Sequence, residues 1–297
     1  WDSDGRTLVW LEDRGQGGML VCQQSSDAPR TLNPTQPSRA QVGYGGGEFA
    51  VSRNRLYFVG TEGRLWRQEL EGGGAQALTP SYGHAAAPCP SPAGSWIVYI
   101  HTAEDRDCIA LVDAEGAVWP SRLVRGADFY MQPAWHPGGK MLAWIEWDHP
   151  QMPWDGTRLV LGELRLPKGT TPVLAAARTI AGDATTSLFQ PLFSPDGSHL
   201  AYASDTRGWS NVWLYNLRDN RHSCLTEDER DVGLPAWIQG LRTMSFSADG
   251  KRLYFTRSEA GCRRAYVCEI ETREISEVTE LAGYTSIEQL TAAPRGL

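Results

Sequence analysis

The sequence has no long apolar run and no excess of positive charge. No stretch reaches the ~18 apolar residues that a membrane-spanning helix needs. Its 28 Lys and Arg are outnumbered by 35 Asp and Glu, and the net charge of −7 argues against a nucleic acid or an anionic membrane as partner. The opening residues WDSDGRTLVW lack the basic and apolar segments of a signal peptide, so we expect a cytoplasmic protein. They resemble the middle of a folded motif, so we also expect the chain to start inside a domain.

Cysteine is sparse, and none of the six follows C-x-x-C spacing: Cys22, Cys89, Cys108, Cys224, Cys262 and Cys268. In a chain of 297 residues this scatter favours reduced, buried thiols over a disulfide framework. Cys262 and Cys268 lie on one probable strand and could pair only if that strand bends.

The motifs of common catalytic and cofactor sites are missing as well. The nearest approach to G-x-S-x-G is GWSNV at 208–212, which lacks the second glycine. No HExxH, EF-hand loop or P-loop occurs. The run GYGGG at 43–47 lacks the Lys and Ser or Thr of a phosphate-binding loop, and no helix follows it. Close approach of backbones explains these glycines better. We therefore predict no catalytic residue, no metal and no cofactor in this chain.

What the sequence does contain is a repeat. A short apolar run with Pro and an aromatic residue precedes an S-P-D-G-like turn, and an alternating apolar strand follows the turn. The clearest copies are QPLFSPDGSHLAYASD (190–205), QPAWHPGGKMLAWIEWD (132–148), APCPSPAGSWIVYIH (87–101) and TMSFSADGKRLYFTRS (243–258); FAVSRNRLYFVG (49–60) and the opening are degenerate copies.

The repeat predicts an all-β propeller of four-stranded antiparallel blades. Turn positions fall near 5, 54, 94, 139, 197 and 250, and each interval holds two further strand-like runs. Asp and Gly there tolerate the positive φ of a tight hairpin. The prediction is a single domain, 1–297, with blades at about 1–38, 39–83, 84–125, 126–184, 185–230 and 231–282. Residues 283–297 would close a six-bladed ring or begin a seventh blade, and we favour a seven-bladed intact protein.

The unusual residues follow alternate hairpin ends of this meander. If the S-P-D-G turns lie on one face, the loops containing EWDHPQMPWDGT (146–157) and SDTRGWSN (204–211) lie on the other, with the crossovers VGYGGGEF, GADFYMQP and DVGLPAW. Exposed aromatic surface of this kind marks a ligand or partner site. The candidates for substrate binding or a domain interface are Tyr44, Glu48, Asp128, Phe129, Tyr130, Trp147, His149, Trp154, Asp155, Asp205, Arg207 and Trp209.

Several of these residues also have plain structural explanations. Trp147 and Trp154 could pack on one another. Glu146, Asp148, His149 and Asp155 could bind a metal, although a hydrogen-bonded loop network explains them better. Glu48 begins an inner strand and could contact a ligand or pair with an arginine or a backbone amide.

The segments GYGGGEFAV, GADFYMQPAWHPGGKMLAWIEWDHPQMPWDGT, SPDGSHLAYASDTRGWSNVWLY and GLPAW resemble the propeller of prolyl oligopeptidase-like serine peptidases, in the bacterial acylaminoacyl-peptidase and dipeptidyl-aminopeptidase branch. The resemblance covers nearly the whole chain. It implies a seven-bladed propeller that precedes an α/β-hydrolase domain, restricts access to short peptides and sometimes holds the substrate amino terminus. That hydrolase domain and its triad are absent here, and the inner strand of the first blade is missing.

Two other functions fit the same sequence. A stand-alone TolB-like propeller would bind a protein through the aromatic face. A propeller enzyme or sugar-binding protein would use the channel mouth, with His149 and carboxylates as ligands. An open reading frame that continues into a hydrolase would favour the peptidase; a stop codon and a secretory signal would favour the TolB-like reading.

Overall fold

The computed structural model describes residues 1–15, 17–167 and 169–293, and these residues form an all-β fold. The chain runs through six antiparallel sheets in sequence order, which is the succession of blades in a β-propeller. The fold class predicted from the repeat is confirmed. The one helical element among the described residues is a 3-10 turn at Thr279–Leu281.

Among the described residues the first sheet has three strands, and the other five have four each. The three strands of the first sheet agree with the sequence analysis, which found no inner strand for this blade. The first three sheets comprise β1 (Thr7–Asp13), β2 (Gly18–Gln24) and β3 (Arg30–Thr31); β4 (Phe49–Ser52), β5 (Arg55–Val59), β6 (Leu65–Glu69) and β7 (Gln76–Ala77); and β8 (His84–Pro90), β9 (Trp96–Ala103), β10 (Arg106–Asp113) and β11 (Ser121–Val124).

The last three sheets have the same consecutive order. They comprise β12 (Phe129–Trp135), β13 (Met141–Trp147), β14 (Arg158–Arg165) and β15 (Val173–Gly182); β16 (Leu188–Phe193), β17 (His199–Ser204), β18 (Asn211–Asn216) and β19 (His222–Cys224); and β20 (Met244–Phe246), β21 (Arg252–Glu259), β22 (Cys262–Glu269) and β23 (Ile275–Glu277).

Contacts divide the chain into two compact units. The first unit holds Trp1–Trp135, Leu164–Ala175 and Ile238–Gly240, and the second holds the remaining described residues. In the first unit, buried Val9, Leu20 and Phe58 belong to one apolar cluster contributed by the first two sheets. In the second unit, Tyr254, Ala265 and Leu290 form another. Central strands such as β5 and β9 are buried along most of their length, as expected for strands covered on both faces.

The repeated turns have the backbone conformation that the sequence predicts. All six turn residues have positive φ, between 63° and 74°: Gly5, Asn54, Gly94, Gly139, Gly197 and Gly250. In the S-P-D-G copy the amide of Gly197 donates to the carbonyl of Ser194 at 2.8 Å. Asp196 accepts from the Ser194 hydroxyl and the Ser198 amide, and these hydrogen bonds lower the pKa of its carboxyl to about 2. The S-P-D-G turn thus combines a left-handed residue with a local carboxylate cap.

The inner strands bulge where the sequence places a proline. Ala87, Gln132 and Gln190 each precede proline and have φ near 50°. The pairing register shifts at Ala87 and at Gln190. Proline cannot donate a ladder hydrogen bond, so the strand accommodates it with an extra residue in a bulge.

Residues 283–293 contain no strand and pack on the sixth sheet. The amide of Leu290 donates to the carbonyl of Arg242 at 2.6 Å, and that of Arg263 donates to Thr285 at 2.9 Å. The predicted closing strand includes 294–297, which lie outside the described residues. Whether the intact protein has six or seven blades stays a prediction.

The six cysteines form no disulfide bond, as expected. Cys262 and Cys268 lie on one continuous strand, β22, which pairs with β21 without a break in register. Among the described residues no helix has the length and apolarity to span a bilayer.

Candidate functional site

A cavity of about 170 Å³ in the second unit is bordered by three of the loops that the sequence singles out. We call it the Asp205 cavity. Trp154 comes from the β13–β14 loop, Asp205 from the β17–β18 loop, and Asp231 to Pro235 from the crossover between β19 and β20. Ser187 and Phe189, at the start of β16, complete the wall. Of the twelve candidates, the structure brings together Trp154 and Asp205 here.

The M-P-W-D segment is a hydrogen-bonded turn that presents Trp154. Asp155 donates its amide to the carbonyl of Met152 at 2.9 Å, and its carboxylate accepts the Met152 amide at 3.2 Å. Ser187 donates its hydroxyl to the carbonyl of Pro153 at 2.9 Å. These bonds tie the turn to the first strand of the next blade and fix the indole at the edge of the cavity.

Trp154 stacks on Trp237. Their ring centroids lie 4.5 Å apart at an interplanar angle of 35°. Trp237 is half exposed and belongs to the G-L-P-A-W crossover, 83 positions along the chain. The sequence suggested Trp147 as the partner of Trp154, and Trp237 was not among the candidates.

Asp205 is held by the backbone at the mouth of its loop. Its carboxylate accepts the amide of Ser187 at 2.8 Å, and its carbonyl accepts the amide of Gly208 at 2.7 Å. Gly208 has φ of +90°, which lets the T-R-G loop reverse within four residues. The carboxylate is half-buried and lines the cavity.

The W-S-N segment positions the other side of the loop through Asn211. This buried amide donates to the carbonyls of Trp209 and Asp228 at 3.0 and 3.1 Å. Its oxygen accepts the Thr226 hydroxyl at 2.7 Å and the Asp228 amide at 2.8 Å. With its hydrogen-bonding groups engaged, Asn211 is a positioning residue for the Trp209 loop.

Asp231 faces the same cavity from the crossover. Its carboxylate accepts the amide of Ser210 at 3.0 Å, and the Ser210 hydroxyl donates to the carbonyl of Val232 at 2.9 Å. The crossover is thereby tied to the W-S-N loop.

The cavity concentrates negative charge. Burial raises the pKa of Asp205, and the carboxylates of Asp231 and Asp183 raise it further against the lowering effect of the Ser187 amide. Its described lining contains two carboxylates and no lysine or arginine. A cation that entered would relieve the repulsion and could lie over the Trp154 indole.

The lining is not arranged for acyl transfer. Its two serine hydroxyls, on Ser187 and Ser210, donate to backbone carbonyls, and no histidine is among the described lining residues. A serine nucleophile needs a base that takes its proton. The geometry of the Asp205 cavity suits ligand binding and not acyl transfer.

The acidic cluster of the first tryptophan loop forms an ion network. Arg158 contacts Asp148 at 2.7 Å and Glu146 at 3.3 Å, and Glu146 also accepts the Trp144 indole N–H at 2.8 Å. The network is the explanation that the sequence favoured. Among the described residues no group of three His, Cys, Asp or Glu could hold a metal ion. His149 is exposed.

In the first unit, the glycine-rich segment packs against Gln239. A methyl group on Gly46 would collide with the carbonyl of Gln239, and one on Gly47 would lie 2.9 Å from the amide of Ala87. Both glycines have positive φ. The expected backbone crowding is confirmed at Gly46 and Gly47.

Gln239 also connects this segment to the A-D-F-Y segment. Its side-chain amide donates to the carbonyl of Tyr130 at 2.9 Å, its own backbone amide donates to Gly45 at 2.9 Å, and the amide of Gln132 donates to its side-chain oxygen at 3.3 Å. Sequence reasoning missed Gln239 because a lone glutamine carries no recognisable pattern.

Glu48 is half-buried beside these glycines. Burial raises its pKa, and hydrogen bonds from the backbone amides of Glu48, Gly46 and Ala40 oppose the rise. Contact with backbone amides was one of the two roles considered for it. Tyr44, in the same segment, is exposed.

The remaining candidates differ in accessibility. Tyr130 and Trp147 are only 1% and 8% exposed, so they belong to the core and present almost no surface to a ligand. Asp128 is exposed and Phe129 is partly buried. Arg207 pairs with Glu227 at 3.0 Å and lies over the Trp213 ring, whereas Trp209 is exposed.

No protein-family model and no curated protein matches this chain. Solved structures do. A puromycin-hydrolysing peptidase of Mycobacterium tuberculosis matches 92% of this chain with 26% identity and a TM-score of 0.79, over 45% of its own length. Puromycin hydrolase matches 97% of the chain with 24% identity and a TM-score of 0.85, over 47% of its length. TolB from Acinetobacter baumannii matches at 14% identity and a TM-score of 0.57, over 72% of its length.

The chain therefore spans about half the length of the peptidase structures that it matches. The resemblance to peptidase propellers seen in the sequence is confirmed at the level of the fold.

Proposed function

We propose that this chain is the non-catalytic propeller of a cytoplasmic serine peptidase of the prolyl oligopeptidase-like family. In this proposal it packs on an α/β-hydrolase domain of the same polypeptide and admits short peptides to it. The observation that supports this most is the match of nearly the whole chain to about half of two peptidases.

A division of labour follows from the chemistry of the Asp205 cavity. The two cavity serines lack a base, so the nucleophile and oxyanion donors belong to the hydrolase domain. The propeller contributes binding groups and excludes folded chains. This exclusion would restrict the peptidase to short, flexible substrates.

We further propose that the Asp205 cavity holds the amino-terminal residue of the peptide. An α-ammonium group would lie between the carboxylates of Asp205 and Asp231, and the side chain would contact Trp154. A volume of about 170 Å³ is close to that of an engineered cavity of about 150 Å³ that binds benzene. The space thus suits one residue.

A stand-alone TolB-like propeller remains the second candidate. The exposed rings of Trp209 and Trp237 would then form a protein interface. The lower structural similarity to TolB gives this reading less support.

The test compares this chain alone with the complete product of its open reading frame. The chain alone should not hydrolyse fluorogenic aminoacyl or dipeptidyl substrates but should bind a dipeptide with a free amino terminus. The complete product should hydrolyse the same substrates and leave a folded protein intact. A reading frame without a hydrolase half, or turnover by this chain alone, would refute the proposal.

A further inference from the structure

A second cavity, of about 190 Å³, lies in the first unit on the third sheet. We call it the Tyr99 cavity. It is outside the loops and crossovers that the sequence singled out as candidate binding segments. Its floor is formed by Tyr99, Ala110 and Arg122, and its walls include Tyr82 and Trp119.

The floor follows from the pairing register. Tyr99 on β9 is opposite Ala110 on β10, and Ala110 is opposite Arg122 on β11, so the three side chains share one face. Alanine is the smallest of the three by far. The gap above its methyl group, between the phenol and the guanidinium stem, is the bottom of the cavity.

One wall is the Trp119 indole, which is 76% exposed. The preceding loop is ordered by Asp113, whose carboxylate accepts the amides of Glu115 at 3.0 Å and Val118 at 2.6 Å. Because the backbone that precedes the ring is already ordered, less backbone entropy is lost when a ligand binds, which favours binding.

The opposite wall is equally fixed. His101 contacts the carbonyl of Tyr82 at 2.8 Å through Nε2, which must donate because a carbonyl oxygen only accepts. The Tyr82 hydroxyl donates to Glu104 at 3.1 Å. The rings of Tyr82 and His101 therefore form a rigid aromatic side to the cavity.

Two hydrogen-bond donors line this cavity. Among the described residues the Tyr99 hydroxyl has no protein partner, but it is not one of the fully buried unsatisfied atoms, so water in the empty cavity can reach it. Arg122 is exposed and has no carboxylate in ion-pair range among the described residues. The adjacent Cys108 thiol has a pKa raised to about 11 by burial, so it stays neutral and adds no negative charge. Water solvates both donors in the empty cavity, and a ligand carboxylate would replace that water with charge-assisted hydrogen bonds.

We propose that the Tyr99 cavity binds an aromatic carboxylate. The ring would insert between Trp119 and Tyr82 above Ala110, and the carboxylate would accept from Arg122 and from the Tyr99 hydroxyl. Such a group occurs in free aryl-alkanoic acids and at the carboxyl terminus of a peptide that ends in an aromatic residue. Both share the chemistry that these residues recognise.

Calorimetry on the purified chain tests the proposal with 3-phenylpropionate, its neutral amide and phenethylamine. The acid should bind with a dissociation constant of roughly 1 mM or tighter. Arg122→Gln should weaken binding of the acid by roughly tenfold or more and leave binding of the amide unchanged. Tyr99→Phe should weaken binding of the acid with little loss of stability, since the partner of the hydroxyl in the empty cavity is water and not a protein group. Trp119→Ala should weaken binding of the acid and of the amide to the same extent.

Arg125→Gln is the matched control, because it removes an exposed arginine three residues from Arg122 and outside the cavity lining. Ala-Phe and its carboxyl-terminal amide distinguish a peptide carboxyl terminus from a free acid as the natural ligand. Tighter binding of Ala-Phe than of 3-phenylpropionate would indicate a peptide terminus. Tighter binding of 3-phenylpropionate would indicate a free acid. Equal affinity for acid and amide, an Arg122→Gln effect matched by Arg125→Gln, or no binding at roughly 10 mM would each overturn the proposal.

Discussion

Asp205 and Asp231 line one cavity, and each carboxylate accepts a hydrogen bond from a backbone amide there, that of Ser187 for Asp205 and that of Ser210 for Asp231. No lysine or arginine lies in the described lining to neutralise them. Two carboxylates placed together without a cation raise the free energy of the empty site. A positively charged ligand would recover that energy on binding.

We expect Asp205→Asn to weaken binding of a dipeptide with a free amino terminus by roughly ten- to hundredfold, because a charge-assisted hydrogen bond is lost. The acetylated dipeptide has no ammonium group, so its binding should change little. Calorimetry on both ligands measures the difference. Asp219→Asn, at an exposed turn, is the control. Equal weakening of both dipeptides would contradict an ammonium site.

The pH dependence of ligand binding and of stability gives a second test of the Asp205 carboxylate. Since burial and neighbouring carboxylates raise the pKa of Asp205, ammonium binding should fall as the pH drops through that raised value, above the range of an exposed aspartate. A pKa raised on folding also means that the ionised carboxylate opposes folding at neutral pH. Asp205→Asn should therefore melt no lower than the parent at pH 7. A clear drop in Tm would show that the carboxylate stabilises the fold.

The stacked pair Trp154 and Trp237 predicts a measurable coupling. Ring pairs of this kind contribute about 0.5–1.5 kcal/mol beyond their burial. In a double-mutant cycle with alanine at both positions, urea unfolding should give a coupling free energy in that range. Trp209→Ala paired with Trp154→Ala is the matched control, since Trp209 is an exposed indole of a different loop. Coupling below about 0.3 kcal/mol would contradict a stabilising stack.

The sequence predicted the repeat because its signals are local. Gly197 and Asp196 identify the hairpin within four residues, and hydrophobic alternation identifies the strands on either side. The fold class followed from six such copies. The three-stranded first sheet followed in the same way, from the absence of an apolar run before the first turn.

The contacts that assemble the site are not local, and the sequence missed most of them. Trp154 stacks on a ring 83 positions away, and Gln239 contacts Tyr130 across 109 positions. A single indole or amide has no periodicity that reveals such a partner. Hairpin parity identified Trp154 and Asp205 as members of one face, but it could not separate the buried Tyr130 from accessible residues.

Gly46 tests the crowding of the glycine-rich segment. Alanine there would adopt an unfavourable positive φ of +83° and collide with the carbonyl of Gln239, so we expect a loss of about 2–5 kcal/mol in unfolding free energy. Gly43 is the matched control, since its φ is +55° but no atom lies within 4 Å of an added methyl group. Gly43→Ala should cost only about 1–2 kcal/mol. Equal losses in urea unfolding would mean that conformation alone, without crowding, requires glycine in this run.

Asn211 should be the most sensitive polar residue of the W-S-N loop. Alanine would leave the buried Thr226 hydroxyl and the Asp228 amide without their acceptor, so we expect a loss of about 2–4 kcal/mol. Asn211→Asp is isosteric and keeps the acceptor oxygens, but it loses the donors to the Trp209 and Asp228 carbonyls. If the donors hold the loop, dipeptide affinity should fall in Asn211→Asp even where urea unfolding shows most of the stability retained. Parent-like affinity in a folded Asn211→Asp variant would show that the Trp209 loop does not depend on this side chain.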